Sequence, residues 1–322
     1  MIQKILKISF LYIGTVIGAG FSTGKELTTY FNNVNFVTLI FGGIALGLFS
    51  GYYLYLGKTF EVKLSQIAFG KYNKIFDLLV FCSVFFVFVS MFDTADIILY
   101  DMFSIKYGGY FTIVVTFLCA IIGISFVKKI NALVIPMVII MVILIYSKEP
   151  TITVNGNTSI LSPILYAGMN IMLAGYIIKP EGKDLTNKQI ASITVVTSVI
   201  FAVIMVLLYE IVNGSVDVMP LFTIAKKYNM HIVAGFVIYI AIVTTALSSE
   251  TILIDYLNLL IPNKYLLSLV LFLIAIPIKI YVGFADIVAF VYPIVSILGI
   301  LVTIFSIFSL IRYKINKNKI KN

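Results

Sequence analysis

The stretch Tyr12–Phe31, "YIGTVIGAGFSTGKELTTYF", decides the fold. It stands where a first membrane-crossing helix belongs, yet it holds Gly14, Gly18, Gly20 and Gly24, the hydroxyls of Thr15, Ser22 and Thr23, and the pair Lys25–Glu26. Glycine lets the backbone leave helical geometry, and peptide groups freed inside lipid must find partners in protein, water or a ligand. The segment therefore reads as a helix whose middle is unwound and lines a cavity. Lys4 and Lys7 ahead of an apolar run and "GAG" also have the look of a secretory leader. The polar "STGKE" that follows at membrane depth has no use in a leader, so the segment is read as a span.

Composition sets the frame around it. With 61% hydrophobic and 11% charged residues over 322 positions, the chain cannot hide its apolar surface in a water-soluble globule and is expected to be a multi-pass protein of the cell membrane. The net charge of +9 is scattered over short loops and a tail, without a patch bearing exposed aromatics, so nucleic acid is not an expected partner. Cys82 and Cys119 lie in apolar runs without a second metal-ligating residue nearby, so neither a disulfide nor a metal framework is expected.

Windows of about 20 apolar residues mark helices that can cross the hydrocarbon core. Ten are found, over 5–31, 37–57, 75–103, 110–127, 130–147, 160–178, 189–212, 231–260, 265–284 and 287–311. With both termini in the cytoplasm, 17 of the 23 Lys and Arg fall inside, which agrees with the bias of basic residues toward that side. Ten spans divide five and five, 1–150 and 151–322, joined by the polar loop Lys148–Ser159. An odd number per half inverts the second half, and transporters built this way carry Gly- or Pro-interrupted spans at matching positions. Helix 6 matches helix 1 with Pro163, Gly168, Asn170 and Gly175, so both are expected to be discontinuous.

The run Gly14–Glu26, "GTVIGAGFSTGKE", resembles the first-helix signature of the amino acid, polyamine and organocation transporter superfamily. More narrowly it is similar to YkvI-like bacterial membrane proteins, whose pattern is close to GAGFASGQE; this chain has Lys25 where that pattern has Gln. The resemblance implies an all-α fold of the LeuT type. It also implies a substrate carboxylate held by backbone N–H groups of Ala19, Gly20 and Phe21, with Ser22 adjacent, and an amino group held by carbonyls of Tyr166, Ala167 and Gly168, with Asn170 beside them. For a coupling ion it implies a sodium site between carbonyls of Gly14 and Ile17 in "GTVIGAG" and Ala241, Thr244 and Thr245 in "AIVTT" on helix 8. Carbonyl and hydroxyl oxygens suit a small hard cation. The same hydroxyls could instead bond back to their own helix.

Three carboxylates remain. Asp93 and Asp96 share one face of helix 3, and ionisable groups in a span are functional hypotheses by default, so Asp93 is a substrate-contact or proton-coupling candidate. Asp96 and Glu250, the latter five residues beyond Thr245, are gating or proton-carrying candidates, which keeps proton coupling open beside sodium. Lys279, after Pro277, is expected to snorkel outward. No nucleotide loop, zinc-protease motif or nucleophile triad is present, so no enzyme is expected. The expectation is a secondary active transporter of a small organic solute, an amino acid or related amine, with a transport-fold ligand sensor as the alternative and the oligomeric state open.

Overall fold

In the computed structural model, which describes residues 2–122, 124–148, 156–258 and 262–321, the chain is all helix apart from its connections. The helices are α1 (Ile2–Val16), α2 (Ala19–Thr23), α3 (Lys25–Tyr30), α4 (Phe36–Thr59), α5 (Leu64–Phe69), α6 (Asn73–Phe103), α7 (Gly108–Ile122), α8 (Ile124–Tyr146), α9 (Leu161–Ile178), α10 (Asn187–Val212), α11 (Pro220–Lys227), α12 (His231–Leu257), α13 (Lys264–Tyr281), α14 (Phe284–Asp286) and α15 (Tyr292–Lys321). A π-helical turn, Ile287–Val291, joins α14 to α15. Most of the loop expected over 148–159, residues 149–155, lies outside the described residues, as does the junction between the expected halves. Among the described residues seven helical stretches are long and apolar enough to cross a membrane, and Gly108–Cys119 and Val134–Tyr146 are shorter apolar helices. Leu48, Leu78, Val199, Leu273 and Phe308 stand exposed on the outside, a surface that water would not tolerate and lipid does. The protein is a multi-pass membrane protein.

Between helices in lipid there is little hydrophobic gain, so association relies on close packing and polar contacts. The strip Gly43, Gly47 and Gly51 of α4 lies one helical turn at a time against Ala202, Ser198 and Thr194 of α10, and a methyl at Gly43 or Gly47 would meet the α10 backbone. Ser50 and Thr197 share a hydrogen bond of 3.0 Å along the same seam. Tyr12 of α1 donates to the Leu46 carbonyl of α4 at 2.9 Å, and Tyr53 of α4 pairs with Thr303 of α15 at 3.0 Å.

Helix ends follow local chemistry. Thr186 and Gln189 form a capping box that starts α10, and Asn35 caps α4 by accepting from Thr38 N–H at 3.0 Å. Lys179 donates to the carbonyls of Phe60 and Val62 beyond the C-terminus of α4. Lys4 bonds to the Asp184 carbonyl, Lys58 to Asn187, and Lys183 pairs with Glu61 at 2.9 Å. These contacts tie the start of α1, the segment after α4 and the segment between α9 and α10 together. At the other end, residues 33–35 are stitched to the segment before α9. Asn157 N–H donates to the Asn33 carbonyl and Asn35 N–H to the Asn157 carbonyl, at 2.9 and 3.1 Å, and Ser159 N–H donates to Thr38.

Two expectations are corrected. Helix 6 is not discontinuous: α9 runs unbroken from Leu161 to Ile178. Its glycines serve close approach, since a methyl on Gly168 would press the Ser296 carbonyl, one on Gly299 of α15 would press the Gly168 carbonyl, and Gly175 lies under the Tyr53 ring. The connection expected around 128–129 is also misplaced. The helix begins at Ile124, which puts Lys128 and Lys129 inside it, and lysine is a good helix former.

Candidate functional site

The first helix is interrupted. α1 stops at Val16 and α2 begins at Ala19 after the extended residue Gly18, φ −85° and ψ −165°. Gly18 N–H turns to the carbonyl of Val16, 2.8 Å away, in place of the Gly14 carbonyl that a continuing helix would use. A second bend follows at Gly24, whose φ of +81° joins α2 to α3 in a left-handed conformation that favours glycine. These two bends carry the chain around a small cavity with about 50 Å³ of free space, bordered by Thr15, Gly18, Ala19 and Gly20 of the break. α6 adds Ser83, Val84, Val87 and Met91, α9 adds Met169, Asn170 and Met172, and Thr245 of α12, Tyr292 and Val295 complete the wall.

The charged group in this wall is Glu26, which sequence reasoning passed over. Its side chain is buried, 5% exposed, and folds back over Gly20 so closely that a methyl there would meet Glu26 Oε1. Glu26 Oε2 accepts from the Tyr166 hydroxyl at 3.1 Å. Lys25 faces the other way, its Nζ donating to the Asp217 carbonyl at 3.0 Å. The signal was in plain view: a carboxylate inside an apolar span is costly and needs a reason. In the sequence it stands beside Lys25, which offers it a local partner that the structure turns away. Beyond Glu26 packs an aromatic cluster in which the Tyr166 ring stands 5.3 Å from Phe31 and 5.5 Å from Tyr30. Tyr30 in turn bonds Ser296 of α15 at 2.7 Å. A wider cleft of about 340 Å³ opens at the Lys179 end between Lys63, Tyr176, Asp255 and Tyr256.

Of the expected substrate contacts, Ala19, Gly20 and Asn170 border the cavity. Asn170 Nδ2 donates to the Tyr166 carbonyl one turn back at 3.0 Å. Phe21 and Ser22 are buried behind the wall, and the Ser22 hydroxyl has no hydrogen-bond partner. Tyr166 reaches the site through its hydroxyl rather than its carbonyl. Ala167 and Gly168 do not border it, and Gly168 packs against α15.

The break in the first helix comes up against α12 at Thr245, one of the expected ion ligands. Gly18 touches Thr245, whose Oγ1 would lie 2.7 Å from a methyl on that glycine. Both hydroxyls, of Thr244 and Thr245, donate to the Ala241 carbonyl at 3.0 and 2.8 Å. Donation uses only the proton, so the hydroxyl lone pairs remain free to face a cation. Gly14, whose carbonyl is relieved of its helical donor, lies in the last turn of α1, and Ile17 lies in the break itself.

The remaining carboxylates are elsewhere. Asp93 does not border the cavity; its Oδ2 accepts from Phe284 N–H at 2.7 Å and caps α14. Asp96 accepts from Gly109 N–H at 2.6 Å at the start of α7 and forms an ion pair with Lys279. Lys279 therefore turns inward, its side chain 6% exposed with Nζ 4.5 Å from the Tyr110 ring centre, and does not snorkel. The physical reason is its ion-pair partner Asp96 on the neighbouring α6. Glu250 is buried between α12 and α13, where Ser268 donates to Oε1 while Oε2 has no partner. Among the described residues no group of three or more His, Cys, Asp or Glu could hold a metal ion.

No family model matches the chain. Over 320 residues it is 24% identical to the uncharacterized protein YyaD of Bacillus subtilis, covering 92% of this chain and 94% of that one. It is 22% identical over 209 residues to the uncharacterized membrane protein YkvI of the same organism, covering 57% and 59%. Among solved structures, it is similar to MhsT in complex with L-phenylalanine, with TM-score 0.64, 15% identity and 93% and 88% of the two chains covered. The manganese transporter of Eremococcus coleocola gives TM-score 0.58 at 15% identity over 95% and 76%. Mhp1, a nucleobase-cation-symport-1 family transporter, gives 0.56 at 12% over 95% and 74%. The chain has the fold of these LeuT-type transporters.

Proposed function

We propose that this chain is a secondary active transporter of a small organic solute bearing an amino group, working by alternating access and coupled to sodium. The reading takes both termini as cytoplasmic, ten spans, and two inverted halves over 1–150 and 151–322. The observation that carries it is the interruption at Ile17–Gly18, where backbone groups leave the helix beside a cavity at membrane depth. Lipid cannot satisfy such groups, which need protein, water, a guest or an ion as partner, and a break that borders a cavity supports a guest or an ion. The fold shared with solved transporters supports the same reading. The oxygens of Gly14, Ile17, Ala241, Thr244 and Thr245 fit sodium, which here is cargo, by type and by their placement on the two sides of the Gly18–Thr245 contact.

Two measurements test it. Purified protein in detergent is expected to melt several degrees higher in NaCl than in KCl, because an ion that binds only the folded state stabilises it. Thr245→Ala should remove most of that difference without lowering the melting temperature in KCl by more than about 1 kcal/mol equivalent. In proteoliposomes, labelled amino acids and alkylamines should accumulate under an imposed sodium gradient and not under a pH gradient alone. Binding without accumulation would turn the reading into a ligand sensor.

A further inference from the structure

The place that a substrate carboxylate would take in the break of the first helix is already taken. Glu26 Oε1 lies on Gly20, and its other oxygen accepts from Tyr166, so the chain supplies its own anion to the cavity. Nothing in the surrounding wall answers that charge. Among the described residues bordering the cavity there is no Lys, Arg or His, and the neighbouring Lys25 is bound to the Asp217 carbonyl. A buried carboxylate without a cation is among the most expensive arrangements a membrane protein can hold. Beside the neutral polar groups of Thr15, Ser83, Asn170, Thr245 and Tyr292, the wall offers hydrocarbon and thioether from Val84, Val87, Met91, Met169 and Met172, which fits an alkyl chain and adapts to its shape.

Resting on the transport reading above, we propose that the guest of this cavity is a small alkylamine cation lacking a carboxylate, held by ion pairing to Glu26. An amino acid would bring a second carboxylate into a space that already contains one, and that repulsion discriminates against it. Tyr166 acts as a positioning residue, fixing the acceptor that faces the ammonium group.

The test compares isobutylamine with valine and isopentylamine with leucine, ligands matched in side chain, by thermal shift and calorimetry on the full chain in detergent, in KCl with and without NaCl. Wild type is expected to respond to the amines at concentrations at least tenfold below those needed for the amino acids. Glu26→Gln should lose the amine response, Glu26→Asp should retain it in weakened form, and Glu26→Ala should gain a response to valine by vacating the seat. Gel filtration confirms that each variant is folded, and Glu26→Asp keeps the comparison decisive if the others are not. Equal or tighter binding of valine and leucine by wild type, an unchanged amine response in Glu26→Gln, or stabilisation by sodium only would overturn the proposal. Failure here is separable from failure of the transport reading. Amine binding without accumulation in vesicles sinks transport and leaves this assignment standing, while sodium-driven accumulation of leucine does the reverse.

Discussion

Replacing Gly299 by valine is expected to destabilise the protein by about 3 kcal/mol, because it forces a branched side chain into a contact where two helices meet backbone to backbone. The first methyl of any side chain at 299 would press the Gly168 carbonyl of α9, and on the other side Gly168 meets the Ser296 carbonyl and Ile300. The Gly168 and Ser296 carbonyls are backbone and cannot swing aside, so the helices must separate. Separation also pulls on the bond between Tyr53 and Thr303, one turn along α15. The measurement is the melting temperature in detergent, or the half-life at fixed temperature where unfolding is irreversible. A Gly299→Val protein as stable as wild type would show that the seam between α9 and α15 is loose. The same experiment bears on the role of the glycines in α9, which lie in an unbroken helix and act as contact surfaces.

Asp96→Asn is expected to cost about 3 kcal/mol, and Lys279→Met introduced into the same chain is expected to return most of it. The asparagine can still accept from Gly109 N–H, so the cost isolates the ammonium of Lys279, left with the Tyr110 ring alone. Breaking a buried pair by removing one partner is much more costly than replacing both, since the orphaned charge must be held without water. A double-mutant cycle on melting temperature reads the coupling directly, and additive effects would mean that the ammonium reaches the membrane surface.

How much of this was legible depends on how local each cause is. The interruption of the first helix lies where the glycines and hydroxyls of Tyr12–Phe31 put it, because a break needs residues that tolerate it and those are visible in one stretch. Capping boxes such as Thr186–Gln189 are local in the same way. Gly168 and Gly175 were equally visible, but a glycine that bends a helix and a glycine that admits a neighbour are the same letter. Only the presence of Gly299 and Tyr53 opposite them tells the two apart. Asp93 and Asp96 stand out in the sequence as ionisable groups in a span. The partners, Phe284 N–H and Lys279, lie nearly two hundred positions away and belong to no pattern along the chain. Glu26 is the instructive case, since its role rests on the turn at Gly24 that swings α3 back over Gly20, a consequence of three-dimensional path and not of composition.

The stitch between residues 33–35 and Asn157 makes a mechanical unit of two segments that the sequence holds more than a hundred positions apart. α3, which carries Glu26, leads into one side of that stitch, and α9, which carries Tyr166 and Asn170, leads out of the other. On the transport reading proposed above, rocking that opened the cavity from that end would carry acid and hydroxyl together, so Glu26 would keep its Tyr166 brace while access to it changed.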